Sequence, residues 1–279
     1  MKLITKVADL QNSIKELRTK GSVGFVPTMG ALHDGHLSLV KKSCAECAVT
    51  VVSIFVNPTQ FNDKNDLKNY PRTLEQDMKL LESTTVDIVF APTVDEVYPE
   101  PDTRIFDFGQ VDKVMEGASR PGHFNGVGQV VSRLFAMVEP DKAFFGEKDF
   151  QQIAVVKEMV RQLGFGVEII ACPIIRESDG LAMSSRNTLL TKEHRAAAPH
   201  IHEVMEQAQK KVGEMTPDQL EKWVAEEVDK NPLLKTIYFQ AVDALTMQKV
   251  NSWENEHGVQ GCIAVQAGEI RLIDNIRLV

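Results

Sequence analysis

Residues 22–38 have the sequence Ser-Val-Gly-Phe-Val-Pro-Thr-Met-Gly-Ala-Leu-His-Asp-Gly-His-Leu-Ser, and the predicted fold follows from this stretch. The apolar run that starts at Val23 is flanked by glycines, which is typical of a short buried strand. Gly30 permits a tight loop, and the apolar spacing after it predicts an amphipathic helix from about Gly35. The stretch therefore predicts a strand, a loop and a helix in direct succession.

Two histidines, His33 and His36, lie where the predicted strand gives way to the helix. Backbone N–H groups at a helix N-terminus lack intrahelical acceptors and carry partial positive charge, so this junction suits an anion. Two imidazoles beside those donors can bridge phosphate oxygens or protonate a leaving oxygen near neutral pH. A phosphate-handling site is therefore the first hypothesis. The spacing alone leaves surface or capping histidines as the alternative, and a metal pair would need a third ligand that nothing nearby clearly supplies.

The composition is that of an ordinary globular protein, with 43% apolar and 25% charged residues in a chain of 279. The formal net charge of −8 argues against broad nucleic-acid binding. No stretch approaches the ~18 uninterrupted apolar residues of a membrane helix, and the N-terminus lacks the apolar segment of a signal peptide. We therefore expect a cytoplasmic protein without nucleic-acid or membrane partners.

Four cysteines in a chain of this length do not form a disulfide framework. Cys44 and Cys47 have Cys-x-x-Cys spacing, but they fall on the apolar-periodic stretch after His36, and no second pair has zinc-ribbon spacing. We interpret them as helix packing residues, with a redox or metal role as the alternative.

The first part of the chain alternates predicted strands and helices, which favours a parallel sheet with right-handed crossovers. Strands are predicted at 23–26, 49–56, 86–90, 142–145 and 167–175, and helices at 5–20, from about 35, and at 74–81, 127–138 and 150–163. Segments 62–72, 92–101 and 117–126 are expected to be irregular, because polar residues, glycine or proline dominate them. The last of these segments is either an active-site lid or a surface excursion, and we favour the lid.

The pattern changes after Arg176. A turn at residues 179–180, helices at 192–212 and from 216, and strand-like segments near 236–242, 262–266 and 270–273 are predicted there. Thr216 is a suitable cap for the second of these helices, and Gln219 stands at its N3 position. We therefore expect two domains, a parallel-sheet domain of residues 1–175 and a smaller α+β domain of residues 176–279.

Five motifs occur along the chain. They are Pro27-Thr28-Met29-Gly30-Ala31-Leu32-His33-Asp34-Gly35-His36, Asn57-Pro58-Thr59-Gln60-Phe61, Arg120-Pro121-Gly122-His123-Phe124, Phe145-Gly146-Glu147-Lys148-Asp149-Phe150-Gln151-Gln152 and Met183-Ser184-Ser185-Arg186-Asn187. Together they resemble the signatures of the pantothenate synthetase (pantoate–β-alanine ligase) family, over essentially the whole chain. A lone His-x-Gly-His would indicate only the wider nucleotidyltransferase superfamily, whereas the five motifs together are specific.

The resemblance implies a fold and a reaction. The fold is α/β: a Rossmann-like, doubly wound parallel sheet domain followed by a smaller α+β C-terminal domain that closes over ATP, in a homodimer. The reaction joins (R)-pantoate and β-alanine to give pantothenate through a pantoyl adenylate, with release of AMP and pyrophosphate. Because the adenylate hydrolyses in water, the site must close. Mg²⁺ is expected on the ATP phosphates, mostly through substrate oxygens and water, and no protein ligand for it can be named.

The resemblance also implies roles for particular residues. The catalytic residues would be His36, His33, Lys148 and Arg186. The ATP-binding residues would be Met29, Gly30, Ala31, Leu32, His33, Asp34, Gly35, His36, Gly146, Glu147, Lys148, Asp149, Ile175, Met183, Ser184, Ser185 and Arg186. His36 would donate a proton or stabilise charge at the phosphates, and Lys148 and Arg186 would offset charge that grows as the α-phosphorus is attacked. Gln60 and Gln152 would bind pantoate, and Gln60 would also lie near β-alanine.

Three positions depart from the family pattern. Asn125, Gln129 and Ala136 stand where Arg, Thr and Asn are expected, which affects the lid more than the chemistry.

Three rival functions can be compared with the one that the resemblance implies. A nucleotidyltransferase with a phosphorylated acceptor would need a basic pocket where this chain has Gln60 and Gln152. A tRNA synthetase would need an anticodon-reading region. An inactive ATP-binding sensor would have no need of the catalytic side chains that are present here.

Overall fold

The computed structural model describes residues 1–61 and 64–279, and the chain forms two compact units. Unit 1 comprises Met1–Phe108, Arg120–Glu147 and Val155–Pro173, and unit 2 comprises Gly109–Ser119, Lys148–Ala154 and Ile174–Val279. Each unit is discontinuous in sequence.

Unit 1 contains a six-stranded sheet in which every pairing is parallel. Its strands are β1 (Lys2–Ile4), β2 (Val23–Thr28), β3 (Val49–Ile54), β4 (Ile88–Phe90), β5 (Lys142–Gly146) and β6 (Glu168–Cys172). Their order across the sheet is β1-β4-β3-β2-β5-β6. The predicted parallel sheet is confirmed. Strand β1 was not predicted, because a three-residue strand is too short to show a period.

The helices follow the chain in an order close to the predicted one. They are α1 (Val7–Leu17), α2 (Asp34–Glu46), α3 (Lys64–Asn69), α4 (Leu74–Leu81), α5 (Val94–Val97), α6 (Met115–Ser119), α7 (His123–Val138), α8 (Phe150–Leu163), α9 (Lys192–Ala197), α10 (His200–Lys210) and α11 (Pro217–Asp229). Short 3₁₀ turns lie at Arg18–Lys20, Pro58–Gln60, Glu147–Asp149 and Ser185–Leu189.

Three segments that were expected to be irregular contain helix. Helix α3 lies in segment 62–72, of which residues 62 and 63 are outside the described residues. Helix α5 lies in segment 92–101, and the end of α6 overlaps segment 117–126. In segment 117–126 the prediction was also wrong for α7, which begins at residue 123 after Gly122 with φ of 82°. This helix needs a glycine at Gly126 because the backbone of residue 59 passes close to it. A Cβ at Gly126 would lie 2.5 Å from the carbonyl oxygen of residue 59.

The core of unit 1 surrounds the central strands. Val23, Phe25 and Val26 of β2 are fully buried, and so are Val51 and Val52 of β3. Strands of a parallel sheet are covered on both faces, which is why these stretches are almost continuously apolar. Helix α2 packs on one face through an apolar cluster that also includes residues of β2 and β3.

The strand order reverses at β2, and this creates the edge where ligands bind in such folds. Strands β3 and β4 follow on one side of β2, and β5 and β6 follow on the other. In open α/β sheets, ligands bind outside the carboxyl ends of the strands at such a switch point. The segments that follow Ile54, Thr28 and Gly146 leave three neighbouring strands at this edge.

Unit 2 contains a three-stranded antiparallel sheet. Its strands are β7 (Leu234–Asp243), β8 (Val259–Ala267) and β9 (Ile270–Arg277), in that order, and α9–α11 contribute to the same apolar core. Helix α11 opens with the predicted capping box, in which Thr216 and Gln219 each accept the other's backbone N–H, at 3.3 and 2.9 Å. The single helix predicted at 192–212 is two helices. It is interrupted before α10 at Pro199, whose ring has no N–H to continue α9.

Within the described part of the chain, no helix combines the length and the apolar character needed to cross a membrane.

Candidate active site

Residues 29–36, here called the His loop, comprise the connection from β2 to α2 and the first turn of α2. Gly30 and Ala31 have φ angles of 80° and 50°, so the chain makes a left-handed bend at two successive residues. The carboxylate of Asp77, on α4, accepts the N–H of Ala31 at 3.0 Å and the N–H of Leu32 at 2.8 Å. Successive N–H groups in such a bend form a concave anion site, and here the anion is a side chain of the protein.

The two histidines cap the first turn of α2 reciprocally. Nδ1 of His33 accepts the N–H of Gly35 at 3.2 Å, and Nδ1 of His36 accepts the N–H of His33 at 3.4 Å. The ring centroids are 4.1 Å apart. Because both Nδ1 atoms accept hydrogen bonds, each neutral ring carries its proton on Nε2. A second proton on Nδ1 would break the cap.

These contacts change the reason for expecting phosphate at this junction. The N–H groups of Ala31, Leu32, His33 and Gly35 all donate to acceptors within the protein. From the sequence alone, such groups were expected to be unpaired. Phosphate binding by these backbone N–H groups would therefore require them to leave their acceptors in the protein.

The turn after β3 fixes the orientation of Gln60. Asn57 is 1% exposed, and its Nδ2 donates to Oε1 of Gln60 at 3.2 Å, while Nε2 of Gln60 donates to Sδ of Met29 at 3.1 Å. Oδ1 of Asn57 in turn accepts the hydroxyl of Tyr98 at 2.9 Å. Burial raises the pKa of Tyr98, so this hydroxyl remains a donor at neutral pH. The Gln60 amide therefore directs its N–H groups toward the His loop.

The start of α7 supports the same turn from behind. His123 is buried, and its Nδ1 lies 2.8 Å from the backbone carbonyl of Gln60, so this nitrogen carries the proton. Its Nε2 lies 3.2 Å from Nη1 of Arg120, which can only donate. In unit 1 the predicted lid residues His123 and Phe124 are thus buried packing residues around the turn that holds Gln60.

The turn after β5, here called the Lys loop (residues 146–152), is held in unit 2 by amide groups. Nδ2 of Asn275, on β9, donates to the backbone carbonyl of Lys148 at 3.0 Å. Gln151 is buried; its Oε1 accepts the N–H of Glu116 at 3.0 Å, and its Nε2 donates to the carbonyls of residues 111 and 114 at 2.7 and 2.9 Å. The adjacent Gln152 is only half-buried. The two neighbouring glutamines therefore have different environments.

The third predicted loop, here called the Ser loop (residues 175–187), is a tight excursion within unit 2. The N–H of Met183 donates to the carbonyl of Ile175 at 3.0 Å, and Gly180, with φ of 91°, forms the predicted turn between them. Ser184 caps the following 3₁₀ turn by accepting the N–H of Arg186 at 3.3 Å. The Ser loop thus contains five of the residues that are predicted to bind ATP. They are Ile175, Met183, Ser184, Ser185 and Arg186.

Comparisons with known proteins identify the family of the chain. A protein-family model described as "Pantoate-beta-alanine ligase" matches residues 2–277. The chain belongs to the pantoate–beta-alanine ligase family.

Individual members of the pantoate–beta-alanine ligase family match over almost their whole length. The chain is 55% identical over 278 residues to a pantothenate synthetase of Porphyromonas gingivalis, covering 99% of both chains. Its structure matches a crystal structure of pantothenate synthetase from Thermus thermophilus with a TM-score of 0.93 and 42% identity, over 100% of this chain and 99% of that one. A ligase from Francisella tularensis, complexed with beta-gamma ATP and beta-alanine, matches with a TM-score of 0.84 and 35% identity, over 100% and 98%. The predicted family, fold class and enzyme class are confirmed.

Sequence reasoning missed three residues of this ligase that hold the loops. Asn57 lies within one of the five motifs but has no predicted role, and neither Asp77 nor Asn275 lies in any of the motifs. Asp77 and Asn275 each contact a loop far away in sequence, 45 and 127 residues from Leu32 and Lys148. No local pattern could have identified them.

The cysteines of this ligase have packing environments. All four are free, and Cys44 and Cys47 pack against the apolar cluster under α2. Burial raises the pKa of Cys47, and it raises the pKa of Cys172 to about 11 and that of Cys262 to about 12. Among residues 1–61 and 64–279, no three His, Cys, Asp or Glu side chains are grouped so that they could hold a metal ion.

Proposed function

We propose that this chain joins (R)-pantoate to β-alanine at the carboxyl edge of the unit 1 sheet, with cleavage of ATP to AMP and pyrophosphate. Family membership supports the reaction, and the Francisella relative in complex with an ATP species and beta-alanine supports two of the substrates. The observation that carries the site is the pair of capped imidazoles at the switch point of the sheet.

In the first step a carboxylate oxygen of pantoate attacks the α-phosphorus of ATP. The new O–P bond forms as the bond from the α-phosphorus to the bridging oxygen breaks, and the electron pair leaves with pyrophosphate. Negative charge grows on the phosphate oxygens, and fixed donors that face it lower the barrier. His33 and His36 would act through Nε2–H, which favours charge stabilisation by neutral imidazole over proton donation. Lys148 and Arg186 would supply the positive charges.

In the second step the amine of β-alanine attacks the carbonyl carbon of pantoyl adenylate. A C–N bond forms, the C–O bond to AMP breaks, and the amine loses its proton to solvent or to AMP. Adenylation makes this step possible because AMP is a far better leaving group than oxide. Exclusion of water protects the intermediate until the amine arrives.

Pantoate would be held by neutral amides. Gln60 and Gln152 are proposed to bind its hydroxyls and carboxylate, with Gln60 also near β-alanine. Since Asn57 occupies Oε1 of Gln60, the Nε2–H groups are the part of this amide that can contact an anionic substrate. An amide orients a carboxylate without the full pairing of a cation, so the carboxylate stays nucleophilic.

ATP would contact the His loop from Met29 to His36, residues 146–149, and Ile175 and Met183–Arg186 of the Ser loop. Mg²⁺ would arrive as MgATP, bound by phosphate oxygens and water. The charge of the metal would add to that of the protein cations.

Several wider features also stay proposals. We propose that residues 1–175 and 176–279 act as two functional domains, that the second closes over ATP, and that the enzyme works as a cytoplasmic homodimer. Closure would satisfy the need to keep water from the adenylate.

One assay tests the proposed function. The purified chain with ATP, Mg²⁺, (R)-pantoate and β-alanine should release AMP and pyrophosphate in equal amounts. Without β-alanine it should still exchange labelled pyrophosphate into ATP, provided that pantoate is present. Release of ADP, or AMP formation that does not depend on pantoate, would contradict the proposal.

A further inference from the structure

One buried carboxylate that belongs to none of the predicted site residues contacts the His loop. Asp77 is 2% exposed and lies in the first turn of α4. Its Oδ2 accepts the N–H of Ala31 at 3.0 Å, and its Oδ1 accepts the N–H of Leu32 at 2.8 Å and the hydroxyl of Thr73 at 3.2 Å. Both carboxylate oxygens are therefore used, and two of the three donors belong to the His loop.

Two other aspartates of unit 1 show that acceptance of a backbone N–H is not by itself informative. Asp87 accepts the N–H of Thr50 at 2.9 Å, and Asp141 accepts the N–H of Val23 at 2.7 Å. These contacts lie at the amino ends of β3 and β2, on the edge of the sheet opposite the His loop. Asp77 differs because it acts at the carboxyl end of β2 and because it binds two successive N–H groups.

The bend also packs closely against this carboxylate. Gly30 has φ of 80°, and a Cβ there would lie 3.1 Å from Oδ2 of Asp77. Two N–H groups that converge in a left-handed bend need an acceptor between them, and a charged acceptor forms the stronger hydrogen bonds. An amide at this position offers only one oxygen and would point N–H groups at the second backbone donor.

We propose that Asp77 is a positioning residue for adenylate formation. It holds residues 30–32 in the bend from which the capped pair His33 and His36 begins, and so it places the two Nε2–H donors. This inference rests on the proposed function, since it assigns Asp77 to the step in which those donors face the ATP phosphates. Asp77 itself acts through the backbone and does not contact substrate.

The test is pantoate-dependent exchange of pyrophosphate into ATP by Asp77→Asn. A misplacement of about 1 Å can lower a rate about 100-fold, so we expect kcat for exchange to fall by about that factor while the KM for pantoate changes less than about threefold. Asp87→Asn is the matched control, because it removes the same charge from a carboxylate that binds a backbone N–H at the opposite edge. It should retain the wild-type kcat. Thermal unfolding of both variants measures the stability lost.

The outcomes separate the inference from the proposed function. If the wild-type chain shows no pantoate-dependent exchange, the proposed function is wrong. If it does exchange and Asp77→Asn keeps its kcat, or Asp87→Asn loses as much, the positioning role is wrong. A raised requirement for Mg²⁺ in Asp77→Asn would also overturn it, in favour of a metal ligand. If Asp77→Asn does not fold, Thr73→Val decides: it removes one hydrogen bond to Asp77 and should lower kcat about threefold, with an unchanged kcat counting against the role.

Discussion

The His loop and the Lys loop follow neighbouring strands of one sheet, but they are held by opposite chemistry. The His loop is held through its N–H groups, which donate to a buried carboxylate and to imidazole nitrogens. The Lys loop is held through a carbonyl, which accepts from the Asn275 amide, and through the neutral side chain of Gln151. One anchor is anionic and the other is neutral.

The difference has a consequence for the chemistry of each loop. In the His loop the N–H groups of four residues already donate within the protein, so under the proposed function the side chains of His33 and His36 would contact the phosphates. In the Lys loop the anchor contacts only the backbone of Lys148, so the ammonium group is not needed to hold the loop. Side-chain changes should therefore separate anchoring from chemistry more cleanly in the Lys loop than in the His loop.

The largest expected effect comes from His36, where capping and chemistry share one ring. His36→Gln keeps an acceptor at the N3 position of α2, where glutamine completes capping boxes, but it removes the imidazole. We expect kcat for pantoyl adenylate formation to fall about 100-fold or more, with thermal stability close to wild type. His36→Ala should lose the same rate and also about 1 kcal/mol of stability with the cap. Single-turnover assays and thermal unfolding measure both quantities; recovery of the rate in His36→Gln would show that His36 only caps the helix.

The second largest effect is expected at Lys148, where loss of the side chain can be compared with loss of the Asn275 amide that binds the backbone. Lys148→Ala should lower kcat about 100-fold without loss of stability, because one stabilising charge is removed and the anchor is untouched. Asn275→Ala should lower kcat about tenfold by loosening the loop. Initial-rate kinetics of the two variants measure both losses.

The control for Asn275 lies in the same network. Nε2 of Gln260 donates to Oδ1 of Asn275 at 2.7 Å but does not enter the contact with Lys148. Gln260→Leu should therefore cost stability and leave kcat near wild type. In Lys148→Ala combined with Asn275→Ala the losses should be less than multiplicative, since the anchor matters only when the ammonium group is present. Fully multiplicative losses would mean that Asn275 does not act through Lys148.

The smallest effect is a contrast between two adjacent glutamines of the Lys loop. Gln151→Ala removes three hydrogen bonds to backbone groups of residues 111, 114 and 116, so the free energy of unfolding should fall by about 1–3 kcal/mol while the KM for pantoate is unchanged. Gln152→Ala should leave stability unchanged and raise that KM about tenfold, which corresponds to one lost hydrogen bond of about 1.4 kcal/mol. Denaturant unfolding and initial-rate kinetics separate the two, and an interchange of these results would reverse the assignment.

Sequence patterns were sufficient for five of the six strands of the parallel sheet and for the family. The apolar runs at β2 and β3 are buried on both faces, and this produces a local signal that is strong because every position is constrained. Short elements failed for the opposite reason: β1, α5 and α6 have three to five residues, less than a period needs. The predicted start of α7 is too late because glycine is typical of loops, whereas Gly126 allows the backbone of residue 59 to approach the helix.

Local residue order thus decided which side chains stand at the ends of β2, β3 and β5, because strand ends follow from burial and turn chemistry. The tertiary structure alone decided what holds those ends in place. Asp77 reaches the His loop from another helix, and Asn275 reaches Lys148 from the last strand, through contacts that no spacing along the chain encodes. It also decided the protonation site of the His33 and His36 rings, since the acceptor role of Nδ1 depends on a hydrogen bond that exists only once the helix has formed.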